Sequence, residues 1–333
     1  MTSLYPIKFT PILKERVWGG TRLGSGYGKN IVEGKKIGES WEISGVQNDI
    51  SKVANGFLAG NNLEELVEVY MGDLVGENIF ERFGKEFPLL IKLIDANDDL
   101  SVQVHPGDEL ARERHHAWGK TEMWYVLEAG DNAKIYTGFR DEISKESFTE
   151  ALKKGDIEDK LNVESPSPGD VFFIPAGRIH AIGKGIVLAE IQQTSDVTYR
   201  VWDWNRKGLD GKPRDLHTDL ALDAIDYKTY ESYKTSAEGR ADETVNIIDC
   251  KYFTSNIMHV ETGLVKDYSL LDSFVIYICT EGKAVIDWED DIIKIEKGET
   301  ILIPAIMEKI SIRPEPGAKI LEVYIRDDYE KKE

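Results

Sequence analysis

The chain has 333 residues and a formal net charge of −19 at neutral pH, with 41% hydrophobic and 10% aromatic residues. That length suits two ordinary domains, and the composition suffices for a sizeable core. The acidic balance argues against nucleic acid and anionic membranes as partners, and no apolar run is long enough to span a bilayer. The start, "MTSLYPIKFTPILKERVWGG", lacks an apolar signal core, so a cytoplasmic protein is expected. An anionic substrate would have to be drawn by a local cluster of Lys and Arg, against the field of the whole protein.

In chain order, "NLEELVEVYMGDLVGENI" (62–79) is the first segment with apolar residues at helical spacing, its acidic residues near the start. "RERHHAWGK" reads as a loop, which gives His115 and His116 little weight. "SKESFTEALKKGDIEDKLN" (144–162) is a second helical segment with Ser144 and Ser147 as possible N-caps, and "DLHTDLALDAIDY" (215–227) is a third. The rest is short strands between Gly, Asp, Asn and Pro, a rhythm that reads as antiparallel sandwich or barrel. His217 and His259 read as structural, and Cys250 and Cys279 as reduced core residues. Residues 206–245 are polar, and the boundary between two β domains is placed there. The first domain is 1–240, with helical insertions near 62–82 and 144–162; the second is 241–333.

An internal repeat supports the division. "PGDVFFIPAGRIHAI" (168–182) is echoed by "KGETILIPAIMEKIS" (297–311), with Gly169 matching Gly298 at an offset of 129. "YVLEAG" (125–130) is echoed by "YICTEG" (277–282) at an offset of 152. The second copy is the first with one helical excursion deleted. It has Lys309 where the first has His180, and the second offset puts Phe274 where the first has Glu122. One copy would hold a metal; the other would be scaffold.

The spacing Gly169, Pro175, Gly177, His180 resembles the second motif of the cupin superfamily. The first Gly permits the turn into a strand, the Pro ends it, and Gly177 allows a tight turn that aims His180 inward. In "SVQVHP", Gln103 and His105 are two apart on a strand and share a face. Glu122 heads the strand "EMWYVLEAG". Gln103, His105, Glu122 and His180 make a mixed oxygen and nitrogen set suited to zinc, with a position left for water or substrate.

"PLLIKLIDANDDLSVQVHP", "GKTEMWYVLEA" and "PAGRIHAIGKGIVLAEIQQTSDVTYRVWDW", together with "ERVWGGTRLG" and "IGESWEISG", are similar to the type I mannose-6-phosphate isomerases in their short bacterial form. The resemblance covers nearly the whole chain. It implies a mainly β fold of two cupin-type (jelly-roll) β-barrels with a few inserted helices. It implies a zinc-dependent aldose–ketose isomerase that interconverts mannose 6-phosphate and fructose 6-phosphate, acting as monomer or homodimer. It carries over one zinc per chain at Gln103, His105, Glu122 and His180, a catalytic Arg200, and Glu190, Trp18 and Glu42 lining the pocket.

Such an isomerisation needs a base for the carbon-bound proton, an electrophile for the oxyanion and a grip on the phosphate. Arg200 suits the electrophile, since it stays charged and offers several donors. Lys120 shares a strand face with Glu122. Lys92 interrupts the apolar strand "LLIKLID", where it makes sense as a sugar or phosphate contact, and Ser101 shares the face of Gln103. Glu190 is a base or an ion-pair partner of Arg200 or Lys120. Metal-bound water, Glu190 and Lys120 all stay open as the base. Lys92, Lys120 and Arg200 are expected to converge in a cationic patch. The competing readings are another cupin enzyme and a non-catalytic sugar-binding cupin; Gln103 in place of a His argues against an iron dioxygenase.

Overall fold

The computed structural model describes residues 4–235, 239–289 and 291–326. It is mainly β, with 41% strand, 17% helix and six α-helices. Three antiparallel sheets form the body. A seven-stranded sheet runs Lys234–Thr235, Val171–Ile174, Glu122–Ala129, Ile186–Gln193, Leu89–Ala96, Ile37–Ile43, Ile12–Gly20. A five-stranded sheet runs Tyr199–Trp202, Val102–Val104, His180–Ile182, Ile135–Phe139, Leu161–Glu164. The third has nine strands and is built mainly from residues 244–324. Among the described residues none of the three closes into a ring, so the two cupin-type units are built from open sheets.

Strand alternation sorts side chains between layers. Leu89, Ile91, Leu93, Met123, Tyr125, Ala189 and Ile191 leave one face of the seven-stranded sheet and share a core with Ile276, Ile278, Leu302 and Val323 of the nine-stranded sheet. The opposite face sends Ile94, Trp124, Phe172 and Leu188 into a second core with Ile135 and Ile182 of the five-stranded sheet. Lys92, Glu122 and Glu190 lie on that same face, at positions two removed from Ile94, Trp124 and Leu188. The polar site is thus the wet end of a sandwich whose remainder is apolar.

The segment 62–79 forms Leu63–Val75, capped reciprocally by Asn62 and Glu65 and kinked at Met71, then Glu77–Phe83 after Gly76. Within 144–162 the helix is Lys145–Lys154, its N-cap Ser144 accepting from Ser147 N; the strand Leu161–Glu164 follows. The third helix is Thr218–Ala224. Of the segment read as a loop, 112–115 form the end of the helix Asp108–His115 and 116–120 are irregular, and His115 Nε2 sits 2.7 Å from the Tyr199 hydroxyl. Cys250 and Cys279 are free thiols.

Two long-range features differ from expectation. The strand Ile7–Thr10 pairs with Thr300–Ile303, with Ile7 opposite Leu302, so the first strand of the chain crosses the boundary expected at 240. The repeat is also real in its hydrogen bonds, but its register differs by one. Gly169 N donates to Val126 O at 2.8 Å, and Gly298 N donates to Cys279 O at 2.8 Å. Glu122 faces Ile174, whereas Val275 faces Ile303. The counterpart of Glu122 is therefore Val275, not Phe274. Both are buried apolar residues, so the second copy lacks the carboxylate either way.

Candidate active site

His105, Glu122 and His180 converge from both sheets, with one donor atom of each lying within 4.8 Å of the others. His105 comes just past the end of the strand that carries Gln103, Glu122 from the first residue of its strand and His180 from the first residue of the strand that follows the turn after Pro175. Gly177 has φ +88°, the left-handed conformation that glycine adopts without strain, and a Cβ there would meet Ala224 O at 3.0 Å. That turn lets the chain reverse and puts His180 opposite Gln103 in the ladder.

Each imidazole is oriented from behind. His105 Nδ1 lies 3.1 Å from Val197 O and His180 Nδ1 lies 2.8 Å from Arg178 O, so both Nδ1 atoms carry the proton and both Nε2 atoms face inward as acceptors. Burial holds both rings neutral: His105 well below its ordinary pKa, His180 down to about 3. His105 Nε2 is 3.5 Å from Glu122 Oε2, and His180 Nε2 is 3.5 Å from Glu122 Oε1. Glu122 Oε1 and His180 Nε2 are buried without a hydrogen-bond partner. Orphaned buried acceptors are costly, and two of them aimed at one point fit a divalent cation. Two neutral imidazoles and a carboxylate are a donor set for zinc and its neighbours. Gln103 lines the cavity beside this cluster.

Beside the buried cluster lies a cavity of about 880 Å³ lined by Trp18, Lys92, Ser101, Gln103, Lys120, Glu190 and Arg200. Lys92 Nζ donates to Glu190 at 2.8 Å and to Gln192 at 2.6 Å. Lys120 Nζ donates to Glu122, lies 3.3 Å from His105 Nε2 and 3.8 Å from Glu190. Burial would raise the Glu190 carboxyl, but Lys120 and Lys92 outweigh it and hold the group ionised. Glu122 moves the other way, raised by burial and by Glu190. Lys92, Lys120 and Arg200 thus line one cavity, but two of the three are already matched by carboxylates. Glu190 pairs with Lys92 and Lys120 rather than Arg200. Arg200 donates to the Asp215 carbonyl at 2.9 Å, and its Nε is buried without a partner.

Glu42 does not line this cavity. The pairing of Ile37–Ile43 with Leu89–Ala96 shifts register between Trp41 and Ile43, and the Glu42 carboxylate is buried in a different network. It accepts from Lys29 Nζ at 2.7 Å and Ser40 Oγ at 2.6 Å, and Lys29 also donates to Gly298 O. Glu39 and Trp41 occupy the cavity wall instead, with Trp41 Nε1 donating to Glu39 at 2.7 Å. Residues 208–217, assigned from sequence to a linker, supply much of the cavity mouth; Arg214 is held there by Asp203. His217, expected to be structural, lines the cavity and accepts from the Arg200 backbone N–H. The alternation of Glu39 with Trp41 was a legible signal; the mouth segment offered none.

A cupin-type sandwich with a buried His–Glu–His centre whose donors fit a divalent cation, beside a lysine- and arginine-lined pocket, defines the class as cupin-like. Comparison narrows it. Residues 7–133 match the family model "Phosphomannose isomerase type I, catalytic domain", and residues 242–320 match "Mannose-6-phosphate isomerase, cupin domain". The mannose-6-phosphate isomerase ManA of Bacillus subtilis is 35% identical over 306 residues, covering 90% of this chain and 93% of that one. A mannose-6-phosphate isomerase of Streptococcus mutans is 33% identical, covering 90% and 92%. The crystal structure of the mannose 6-phosphate isomerase from Bacillus subtilis superposes with a TM-score of 0.87 at 34% identity, covering 97% and 100%. The chain belongs to the type I phosphomannose isomerase family.

Proposed function

We propose that the protein is a zinc-dependent mannose-6-phosphate isomerase, interconverting mannose 6-phosphate and fructose 6-phosphate through an enediol. The observation that carries the reading is the pair of orphaned acceptors, Glu122 Oε1 and His180 Nε2, buried next to Lys120, which lines a cavity together with Lys92, Glu190 and Arg200. His105, Glu122 and His180 would hold the zinc, with Gln103 as a fourth candidate. When bound, it supplies a positive centre that orients the sugar oxygens and lowers the cost of charge on them.

The chain's own residues account for the rest. Lys92 Nζ has three donors and uses two on Glu190 and Gln192, so one remains for the sugar or its phosphate. Ser101 lines the same wall and offers a hydroxyl to the phosphate. Arg200 faces the cavity with donor capacity left, which suits charge developing on the C1 or C2 oxygen. Glu190 is ionised and Lys120 stands 3.8 Å from it, so one can accept the carbon-bound proton while the other serves the oxygens. Trp18 closes the apolar side of the pocket. A phosphorylated hexose is a cytoplasmic metabolite, and the reading places the protein there.

The test follows solvent deuterium. Incubation with mannose 6-phosphate in heavy water should yield fructose 6-phosphate with deuterium at C1. Ketose formed without any exchange would argue for direct hydride transfer and against the enediol. Absence of ketose would remove the activity itself.

A further inference from the structure

The reading above leaves the second β unit without a part in the chemistry. A polar chain runs from it to the segment that carries Lys120 and Glu122. Tyr252 lies in the turn before the strand Thr254–Val260 of the nine-stranded sheet, and its hydroxyl donates to Asp108 Oδ2 at 2.8 Å. Asp108 begins the helix Asp108–His115, three residues after His105. Its other oxygen, Oδ1, accepts from Gly119 N at 3.0 Å and from Gln193 Nε2 at 3.0 Å. Gln193 then clasps Thr121: its Oε1 accepts from Thr121 N at 2.8 Å, and its own N–H donates to Thr121 O at 3.2 Å.

Lys120 sits between the two residues so held, and Glu122 follows them. A Cβ on Gly119 would come within 2.7 Å of Asp108 N and 2.8 Å of its Oδ1, so only glycine admits the carboxylate this closely. The strap reaches the other ligand strand as well: Thr121 Oγ1 accepts from Ala176 N at 3.2 Å, within the turn that leads to His180. A carboxylate accepting three hydrogen bonds at fixed angles is a rigid hub, and outer partners of this kind commonly govern cation affinity and activity by 10–100-fold.

We propose that Tyr252 of the second β unit is a positioning residue: acting through Asp108 and Gln193, it fixes the segment 119–122 that sets Lys120 and Glu122 in the site. The second unit is then part of the site's support and not only packing.

The test uses the full chain loaded with zinc. Release of zinc to a chelator is timed, and kcat and KM for mannose 6-phosphate are measured, for D108N, Y252F and the double variant. D272N is the control. Asp272 makes a separate bond between the units, accepting from Glu77 N at 2.7 Å and Asn78 N at 2.9 Å. We expect D108N to release zinc about tenfold faster and to lose about tenfold in kcat, with KM within twofold. Y252F should show about a threefold change in each. The double variant should be no worse than D108N, because both act along one chain. D272N should lower the melting temperature with both rates within twofold. The proposal is overturned if Y252F and D108N only lower the melting temperature as D272N does, or if their effects on zinc release simply add. Zinc release also separates this proposal from the functional reading: a protein with no turnover at all would sink the isomerase activity, while the release rates would still decide the role of Tyr252.

Discussion

At the scale of single residues, the site rests on side chains whose polar atoms have nowhere else to go. Arg200 is the clearest test of assigned chemistry, because its Nε is buried without a partner and one N–H is held only by a backbone carbonyl. Replacing it by Met should cost about 100-fold in kcat/KM, and by Lys about tenfold, since Lys keeps the charge but loses the planar fork. Steady-state kinetics on both variants checks this. Equal losses would mean that only charge is used. Glu42 makes the opposite case. Its carboxylate and Lys29 are 3% and 5% exposed and neutralise each other between the layers. K29M should destabilise by about 3 kcal/mol, since it leaves a buried charge unpaired, and adding E42Q should recover much of that loss. Chemical denaturation of the two variants reads it directly. A kinetic defect in E42Q at full stability would return Glu42 to the pocket.

These residues also show what the sequence made legible. His180 and Glu122 could be read because a Gly–Pro–Gly turn and a strand start leave little choice of direction. Lys92 could be read because a lysine in an otherwise apolar strand demands a reason. Glu42 was placed in the pocket by resemblance alone; plain strand alternation puts it with Ser40 on the face opposite Glu39 and Trp41, which line the cavity. Glu39, three residues earlier, took its place on the cavity wall.

At the scale of elements, the strand Ile37–Ile43 carries a wall of the cavity and a pH signature. Burial alone would raise the Glu39 carboxyl, but Lys92 and Arg16 outweigh it and keep the pKa below its ordinary 4.5. A carboxyl depressed by folding contributes stability above its unfolded value and loses it as pH falls through the folded one. Wild-type protein should therefore lose melting temperature as pH falls below about 4.5, and E39Q should show a shallower fall. Parallel slopes would mean that Glu39 is no more favourably ionised folded than unfolded. The helix Asp108–His115 was missed for a local reason: only Ala111 in it is buried, so it carries almost no apolar period. The one-residue offset between the copies was missed because "YVLEAG" and "YICTEG" look alike as strings, whereas register is fixed by which residues face each other across the ladder.

At the scale of the molecule, the duplicated sheet explains the acidic chain's two halves. One copy keeps His180 and Glu122; the other has Lys309 and Val275 in their places. The first described strand crosses to the second unit, and Tyr252 reaches back to Asp108, so the two units are tied in both directions. No local pattern announces such pairings, because they depend on where distant segments meet. Against a net charge of −19, the pocket gathers its cations from five-stranded and seven-stranded sheets alike, and most are neutralised where they stand. The central claim is that His105, Glu122 and His180 bind zinc for sugar-phosphate isomerisation. The most direct measurement is the conversion of mannose 6-phosphate to fructose 6-phosphate before chelation, after it, and after zinc is returned. The account predicts turnover that vanishes with the metal and comes back with it. Turnover that persists in protein shown to be metal-free, or none in folded protein shown to hold zinc, would contradict it.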